Sequence, residues 1–204
     1  MHRITFLRHG ESIGNIKGCI QGQVDFPLTD KGREQAAMLA ELWRTDEVRY
    51  DLIISSTLLR ARQTAETISA ALGNPLEFDS IWQERSFGTL EGKQLSEVEG
   101  YEPPVDYFHP YNVIGDYGES QLDLYTRACQ AVQGLVRRPA GRYLIVSHGA
   151  MLNKVLYAII GLTPQGNYKS PIFRLGNTAY VNMTYDPIER QWSFLEFRNQ
   201  VDTF

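Results

Sequence analysis

The chain has 204 residues, 43% of them hydrophobic and 22% charged, the make-up of an ordinary globule rather than of a disordered polypeptide. That length suits one substantial domain, which buries roughly 70% of its unfolded surface without needing disulfides or a metal to complete a core. Lys plus Arg number 20 against 24 Asp plus Glu, a formal net charge of −4, which excludes a binder that relies on clustered cations to grip nucleic-acid phosphates or an anionic membrane surface. The two cysteines, Cys19 and Cys129, have no metal-ligand spacing and cannot form a disulfide framework, so a reducing, cytoplasmic setting is expected. No apolar run approaches the ~20 residues of a membrane helix, and the start turns polar at Arg8, too early for a signal peptide.

Taken in chain order, Ile4–Leu7 reads as a buried strand feeding the polar turn Arg8-His9-Gly10. Leu28-Thr29-Asp30 opens a helix with Thr29 as N-cap and Asp30 in the first turn, and Ala36, Leu39, Ala40 and Trp43 form its core stripe. Leu52-Ile53-Ile54 is a second strand, closed by Ser55-Ser56. The next helix carries Ala61, Ala65, Ile68 and Leu72 on one face and ends at Gly73-Asn74-Pro75. From Gly100 to Ser120 the period disappears: three prolines, four tyrosines, Phe108 and His109 occur with acids but without Lys or Arg. A structureless stretch of that length suits a lid. A helix resumes from Leu122 with the stripe Tyr125, Cys129, Val132 and Val136. Tyr143–Val146 is a further strand ending at Ser147-His148-Gly149, followed by a helix with Leu152, Val155, Leu156 and Ile159 inward and a stop at Gly161. Two aromatic-rich runs, Thr178–Tyr185 and Trp192–Phe197, joined through Asp186-Pro187, read as a strand pair at one side of the sheet.

Strand, polar turn and helix thus recur three times, the pattern of an α/β protein: a three-layer α/β/α sandwich around a mostly parallel sheet, forming a single domain over residues 1–204 with a lid inserted at about 85–120. Such sheets bind ligands at the carboxyl ends of their strands. Three of those ends carry groups that handle anions: Arg8 with His9, Arg60 early in the second long helix, and His148. Arg62 lies off the buried stripe and is expected to pair with Glu66. His2 is placed at a fraying terminus, His109 on the surface of the lid, and Glu11 in a role orienting the loop.

The motifs go further. Leu7-Arg8-His9-Gly10-Glu11-Ser12 with Asn15 resembles the hallmark of the histidine phosphatase superfamily, in its phosphoglycerate mutase-like branch and of the broad-specificity phosphatase type. Pro27-Leu28-Thr29 with Lys31-Gly32, Ser55-Ser56-Thr57-Leu58-Leu59-Arg60-Ala61-Arg62-Gln63-Thr64-Ala65, Glu84-Arg85-Ser86-Phe87-Gly88 with Glu91-Gly92, Gly118-Glu119-Ser120 and Ser147-His148-Gly149 follow in that family's order. The resemblance implies that His9 attacks phosphorus to form a phosphohistidine, that Arg8, Arg60 and a protonated His148 hold the phosphoryl oxygens, and that Glu84 is the general acid and then base. It also implies that Asn15, Gln21, Gly22 and Gly149 contact phosphate or substrate, Gln21 standing where the family commonly has a small hydroxyl residue. No cofactor and no metal are called for, and the partner is a small phosphate monoester. The oligomeric state is not legible.

The function expected is therefore hydrolysis of phosphate monoesters. The alternative is a cofactor-dependent phosphoglycerate mutase, which passes the phosphoryl group back to a second hydroxyl. A catalytically dead phospho-ligand module ranks below these because His9, Glu84 and His148 all persist, and a metal hydrolase ranks lower still because a third ligand is missing. Phosphatase is preferred over mutase because the lid offers Glu102, Asp106, Asp116 and Glu119 instead of cations for a second phosphate, while Tyr101, Tyr107, Phe108, Tyr111 and Tyr117 suit an organic leaving group. An aryl phosphate is accordingly expected to outrank 3-phosphoglycerate.

Overall fold

The computed structural model describes residues 1–98, 106, 109–166 and 171–199. Along them run β1 (His2–Arg8), α1 (Ile13–Ile16), α2 (Asp30–Thr45), β2 (Leu52–Ser55), α3 (Leu59–Leu72), β3 (Leu76–Phe78), α4 (Leu95–Val98), α5 (Gln121–Val136), β4 (Arg142–Ser147), α6 (Gly149–Ile160), β5 (Tyr180–Asp186) and β6 (Gln191–Arg198). The strands form one sheet in the order β3-β2-β4-β1-β5-β6. β3, β2, β4 and β1 are mutually parallel, whereas β5 runs antiparallel to β1 and β6 antiparallel to β5. The expected edge hairpin is present. Short β3, directly after the Gly73-Asn74-Pro75 stop, has no counterpart in the sequence reading.

Consecutive apolar residues on the central strands point to opposite faces, and both faces are covered, as a parallel sheet requires. Phe6, Ile54 and Ile145 pack with Leu124, Ala128 and Leu135 of α5 and Leu152 and Val155 of α6. Leu7, Ile53 and Leu144 pack with Leu39 and Trp43 of α2 and Ala61, Ala65 and Ile68 of α3 on the other side. A third cluster of Ile20, Leu90, Val98 and Ile114 gives the inserted segment a small core of its own.

The helix ends are as the sequence dictates. Thr29 Oγ accepts from Gly32 N at 2.9 Å, and Gly73 and Gly161 take the left-handed conformation that closes α3 and α6, which a side chain resists. Two expectations fail. The buried stripe of α5 is Gln121, Leu124, Ala128, Ala131, Val132 and Leu135; of the residues expected inward only Val132 is fully buried, and Leu122 is exposed. The apolar residues on the outer face misled the phase, and small alanines mark the true one. His2 does not fray: it is buried as the first residue of β1, paired with Tyr185 and stacked at 6.0 Å on Tyr143. Burial and the neighbouring amino terminus lower its pKa.

Among the described residues no helix is long and apolar enough to cross a membrane, and Cys19 and Cys129 are unpaired thiols.

Candidate active site

The register of the central strands assembles the site. Arg8 lies opposite Ser147 at the ends of β1 and β4, and Ser55 of β2 lies opposite Val146. The next residue of each chain segment, His9, His148 and Ser56, therefore emerges at one edge, where His9 N donates to Ser147 O at 3.0 Å and Ser56 N to Val146 O at 2.9 Å. The His9 and His148 rings lie 5.1 Å apart and both are buried. Gly10 follows His9 because the turn runs backbone-to-backbone against α2: a Cβ on Gly10 would lie 2.5 Å from Gly32 O, and one on Gly32 would overlap the Glu11 carbonyl. Behind the loop, Thr178 N donates to the carbonyls of Arg8 and His9, and Asn177 Nδ2 also donates to His9 O. Thr178 reaches them with φ at +55°, a strained conformation for a β-branched residue. Glu11 accepts from Thr29 Oγ1 at 2.8 Å and pairs with Lys31 at 3.4 Å, so it orients the loop as expected.

His9 Nδ1 sits 2.6 Å from its neighbour's carbonyl, Gly10 O. A carbonyl only accepts, so the proton lies on Nδ1 and Nε2 keeps its lone pair. Burial, then the charges of Arg60 and Arg8, push the His9 pKa well below the ordinary 6.5, which holds the ring neutral and nucleophilic at neutral pH.

Part-buried Arg8 and fully buried Arg60 have no ion-pair partner among the described residues. Carbonyls orient them instead: Arg8 Nη1 donates to Leu175 O at 2.6 Å, and Arg60 donates to Val24 O and Gly22 O at 2.9 and 2.8 Å. Burial lowers both pKa values, that of Arg60 to about 10, and Glu84 opposes the shift in each. Both stay charged at neutral pH. The Nε groups of Arg8 and Arg60 and Nδ1 of His148 are buried with no hydrogen-bond partner. Buried polar groups normally find partners, so three orphaned nitrogens around one histidine describe a cradle for an anion's oxygens.

His148 differs from expectation in charge. Burial first, then Arg60, His9, Arg8 and Arg127, hold its pKa well below 6.5, so the protein's own field keeps it neutral. Ser56 Oγ accepts from Leu58 N and lies 2.8 Å from His148 Nε2; in the tautomer where the Ser56 hydroxyl donates to Nε2, the ring proton sits on the orphaned Nδ1 and can be given to an anion.

Glu84 comes from the segment between β3 and the insertion. Its carboxylate accepts from Arg85 N and Met151 N at 2.9 and 3.0 Å and from Ala150 N at 3.2 Å, which fixes it against the start of α6 just beyond His148. The segment itself is clamped by a residue the sequence reading missed. Arg127 of α5 donates to the carbonyls of Ile81, Gln83 and Glu84 at 2.9, 2.6 and 3.1 Å, and grips Glu119 through Nε and Nη2, each at 2.7 Å. The correct phase of α5 would have shown Arg127 beside buried Ala128, facing inward.

The outer candidates sit one layer back. Asn15 Oδ1 accepts from Ser12 N at 3.0 Å and Asn177 Nδ2 at 3.3 Å, and Gln21 Oε1 accepts from Ser12 Oγ at 2.7 Å. These amides shape the loop with their oxygens, and only their nitrogens remain for a ligand. Gly22 serves through its carbonyl, on Arg60, at φ +48°. Gly149 lies 3.7 Å from Arg8 Nε, measured from an added Cβ. Arg62 pairs with Glu66 at 3.4 Å outside the site, as expected, and partly exposed His109 Nδ1 accepts from Tyr111 N and Asn112 N within the lid.

A cavity of about 390 Å³ opens beside Arg8 and Gly149, lined further by Lys154, Tyr157, Ile172, Phe173 and Arg174. The lid is not arranged as the sequence suggested. Glu119 is paired with Arg127, and Asp116 accepts from Thr89 Oγ1 at 3.2 Å; neither lines the cavity. Tyr111 and Tyr117 are 67% and 72% exposed, while Glu102, Tyr101, Tyr107 and Phe108 lie outside the described residues. Among the described residues no three His, Cys, Asp or Glu side chains are grouped to hold a metal ion.

A mostly parallel α/β sheet whose carboxyl edge presents two histidines, two arginines and a glutamate defines a phosphoryl-handling class. The family model of the histidine phosphatase superfamily (branch 1) matches residues 4–200, and the chain belongs to that superfamily. A relative from Salmonella paratyphi A, described as "Probable phosphoglycerate mutase GpmB", is 35% identical over 198 residues, 94% of this chain and 88% of its own. Among solved structures, phosphoserine phosphatase from Entamoeba histolytica, in complex with 3-phosphoglyceric acid, superposes with a TM-score of 0.81 at 26% identity, covering 99% of this chain and 98% of that one. Bacillus stearothermophilus YhfR gives 0.80 at 29% identity, covering 99% and 96%.

Proposed function

We propose that the protein hydrolyses phosphate monoesters through a phosphohistidine on His9. The observation that carries this reading is the neutral His9 ring, with Nε2 available, among the three orphaned nitrogens of Arg8, Arg60 and His148. Nε2 attacks phosphorus as the ester P–O bond breaks, and Glu84 delivers a proton to the departing alcohol oxygen. Water then attacks the phosphorus, Glu84 takes its proton, the N–P bond breaks, and inorganic phosphate leaves. Arg8, Arg60 and His148 Nδ1 hold the three equatorial oxygens throughout, Asn15, Gln21 and Gly149 offer further contacts to phosphate or substrate, and Gly22 acts through Arg60. Charge on those oxygens makes such fixed donors the main source of catalysis. Two unpaired cysteines suit a cytoplasmic location, and one domain with its lid over about 85–120 accounts for the site.

The mutase reading has its own support, since the relatives 35% identical to this chain carry that name. Glu119 and Asp116 drop out of the acidic-lid objection to it, because they are held by Arg127 and Thr89. What favours hydrolysis is the cavity: beyond Arg8, its described lining residues include one lysine and one arginine among neutral polar and apolar side chains, few cations for retaining a bisphosphorylated intermediate. Phosphate release from a panel of phosphomonoesters, with His9→Ala as control, tests the choice. Release abolished by His9→Ala is expected. Interconversion of phosphoglycerates primed by 2,3-bisphosphoglycerate, outrunning release, would establish the mutase instead.

A further inference from the structure

The cavity next to the phosphate cradle has a chemical character that hydrolysis alone does not explain. Its apolar wall is Tyr157, Ile172, Phe173 and Leu175, which suits a carbon skeleton. Among its described lining residues the cations beyond Arg8 are Lys154 and Arg174, and there is no Asp or Glu. Lys154 is half-buried on α6, five residues past Gly149, or about 7.5 Å of helix rise. Its Nζ lies 4.2 Å from the centre of the Tyr157 ring, a contact that favours the charge but accepts no N–H bond as an oxygen would. No ion pair joins Lys154 or Arg174 to any described residue. Burial and the charge of Arg85 lower the Lys154 pKa to about 8, so the ammonium is largely charged at neutral pH and an anion beside it is stabilised.

We infer that Lys154, with Arg174 at the same cavity, binds a carboxylate on the leaving group, so that the substrates are phosphate esters of hydroxy acids rather than of neutral alcohols or phenols. Two cations set against the apolar side chains of Tyr157, Ile172, Phe173 and Leu175 match a carboxylate on a carbon skeleton. This rests on the hydrolase reading for its chemistry, and it reverses the expected preference for an aryl phosphate over 3-phosphoglycerate.

Two ligands that differ only at this point are 3-phosphoglycerate, with a carboxylate, and glycerol 3-phosphate, with a hydroxymethyl group. Their binding to the His9→Ala protein is measured by calorimetry, and their turnover with His9 intact, each with and without Lys154→Met. The expected result is binding of 3-phosphoglycerate about ten- to a hundredfold tighter than glycerol 3-phosphate, the scale of one charge-assisted hydrogen bond. Lys154→Met should erase that difference with the Tm of the protein unchanged, which reports a folded site, while Lys154→Arg retains the preference. Equal binding of the two ligands, or an equal loss of both in Lys154→Met, would overturn the carboxylate subsite while hydrolysis stood. A Lys154-dependent preference in binding without phosphate release by the wild type would uphold the subsite and remove the hydrolase reading.

Discussion

At the scale of single residues, the site works by leaving strong donors unsatisfied. Arg60 is fully buried and held by two carbonyls, an arrangement that fixes the guanidinium without neutralising it. Arg60→Ala should therefore lower kcat about 100- to 1000-fold, as loss of one transition-state donor does, and Arg60→Lys should restore little because a point charge lacks the fork that spans both carbonyls. Steady-state kinetics on the two variants checks this. The neutral histidines have a second consequence. His9 and His148 titrate lower in the folded protein than the ordinary 6.5, so the unfolded chain binds more protons between that value and the lower folded ones. Stability is then full above about pH 6.5 and falls as the pH drops below it. Thermal melts from pH 7.5 to 5 should show the loss, and His9→Asn should make it shallower.

At the scale of elements, α5 carries the insertion's strongest link to the chemistry. Arg127 ties Glu119, at the end of the lid, to the carbonyls of the segment that bears Glu84, which makes it a positioning residue. Arg127→Met should lower kcat with little change in KM and alter the pH profile of kcat, whereas a merely structural loss would leave the profile's shape unchanged. Glu119→Gln combined with Arg127→Met should cost less than the two singly, since each alone strands a partner. How much was legible in the sequence divides along similar lines. The strand-turn-helix units and the caps at Thr29, Gly73 and Gly161 rest on local chemistry, and Arg8, His9, Arg60 and His148 follow from their places at strand ends. Arg127, Ser56 and Lys154 did not stand out, because their roles depend on which helix face turns inward and which loop lies opposite. On α5 the exposed Leu122 and half-buried Tyr125 and Cys129 outweighed the small alanines that actually face the core, so the phase was read one residue away. The lid's acids were counted correctly, but the partners of Glu119 and Asp116, Arg127 and Thr89, lie outside the stretch itself.

At the scale of the whole molecule, a net charge of −4 encloses a cationic centre, and the protein should be stabilised by the anion that centre accepts. Inorganic phosphate or vanadate at about 100 times its Kd should add roughly 2.7 kcal/mol of stability, seen as a raised Tm in the wild type and not in Arg60→Ala. The donor set gives no three-ligand metal group among the described residues, so prolonged chelation should leave the rate unchanged; loss restored by one particular metal would contradict this. In the proposed mechanism His9 carries the phosphoryl group. The most direct test is rapid quenching of the protein with a ³²P-labelled phosphomonoester, followed by peptide mapping. An acid-labile, alkali-stable label is expected on the peptide containing His9 and none in His9→Ala; hydrolysis proceeding at a wild-type rate with no label on His9 would contradict a phosphohistidine there.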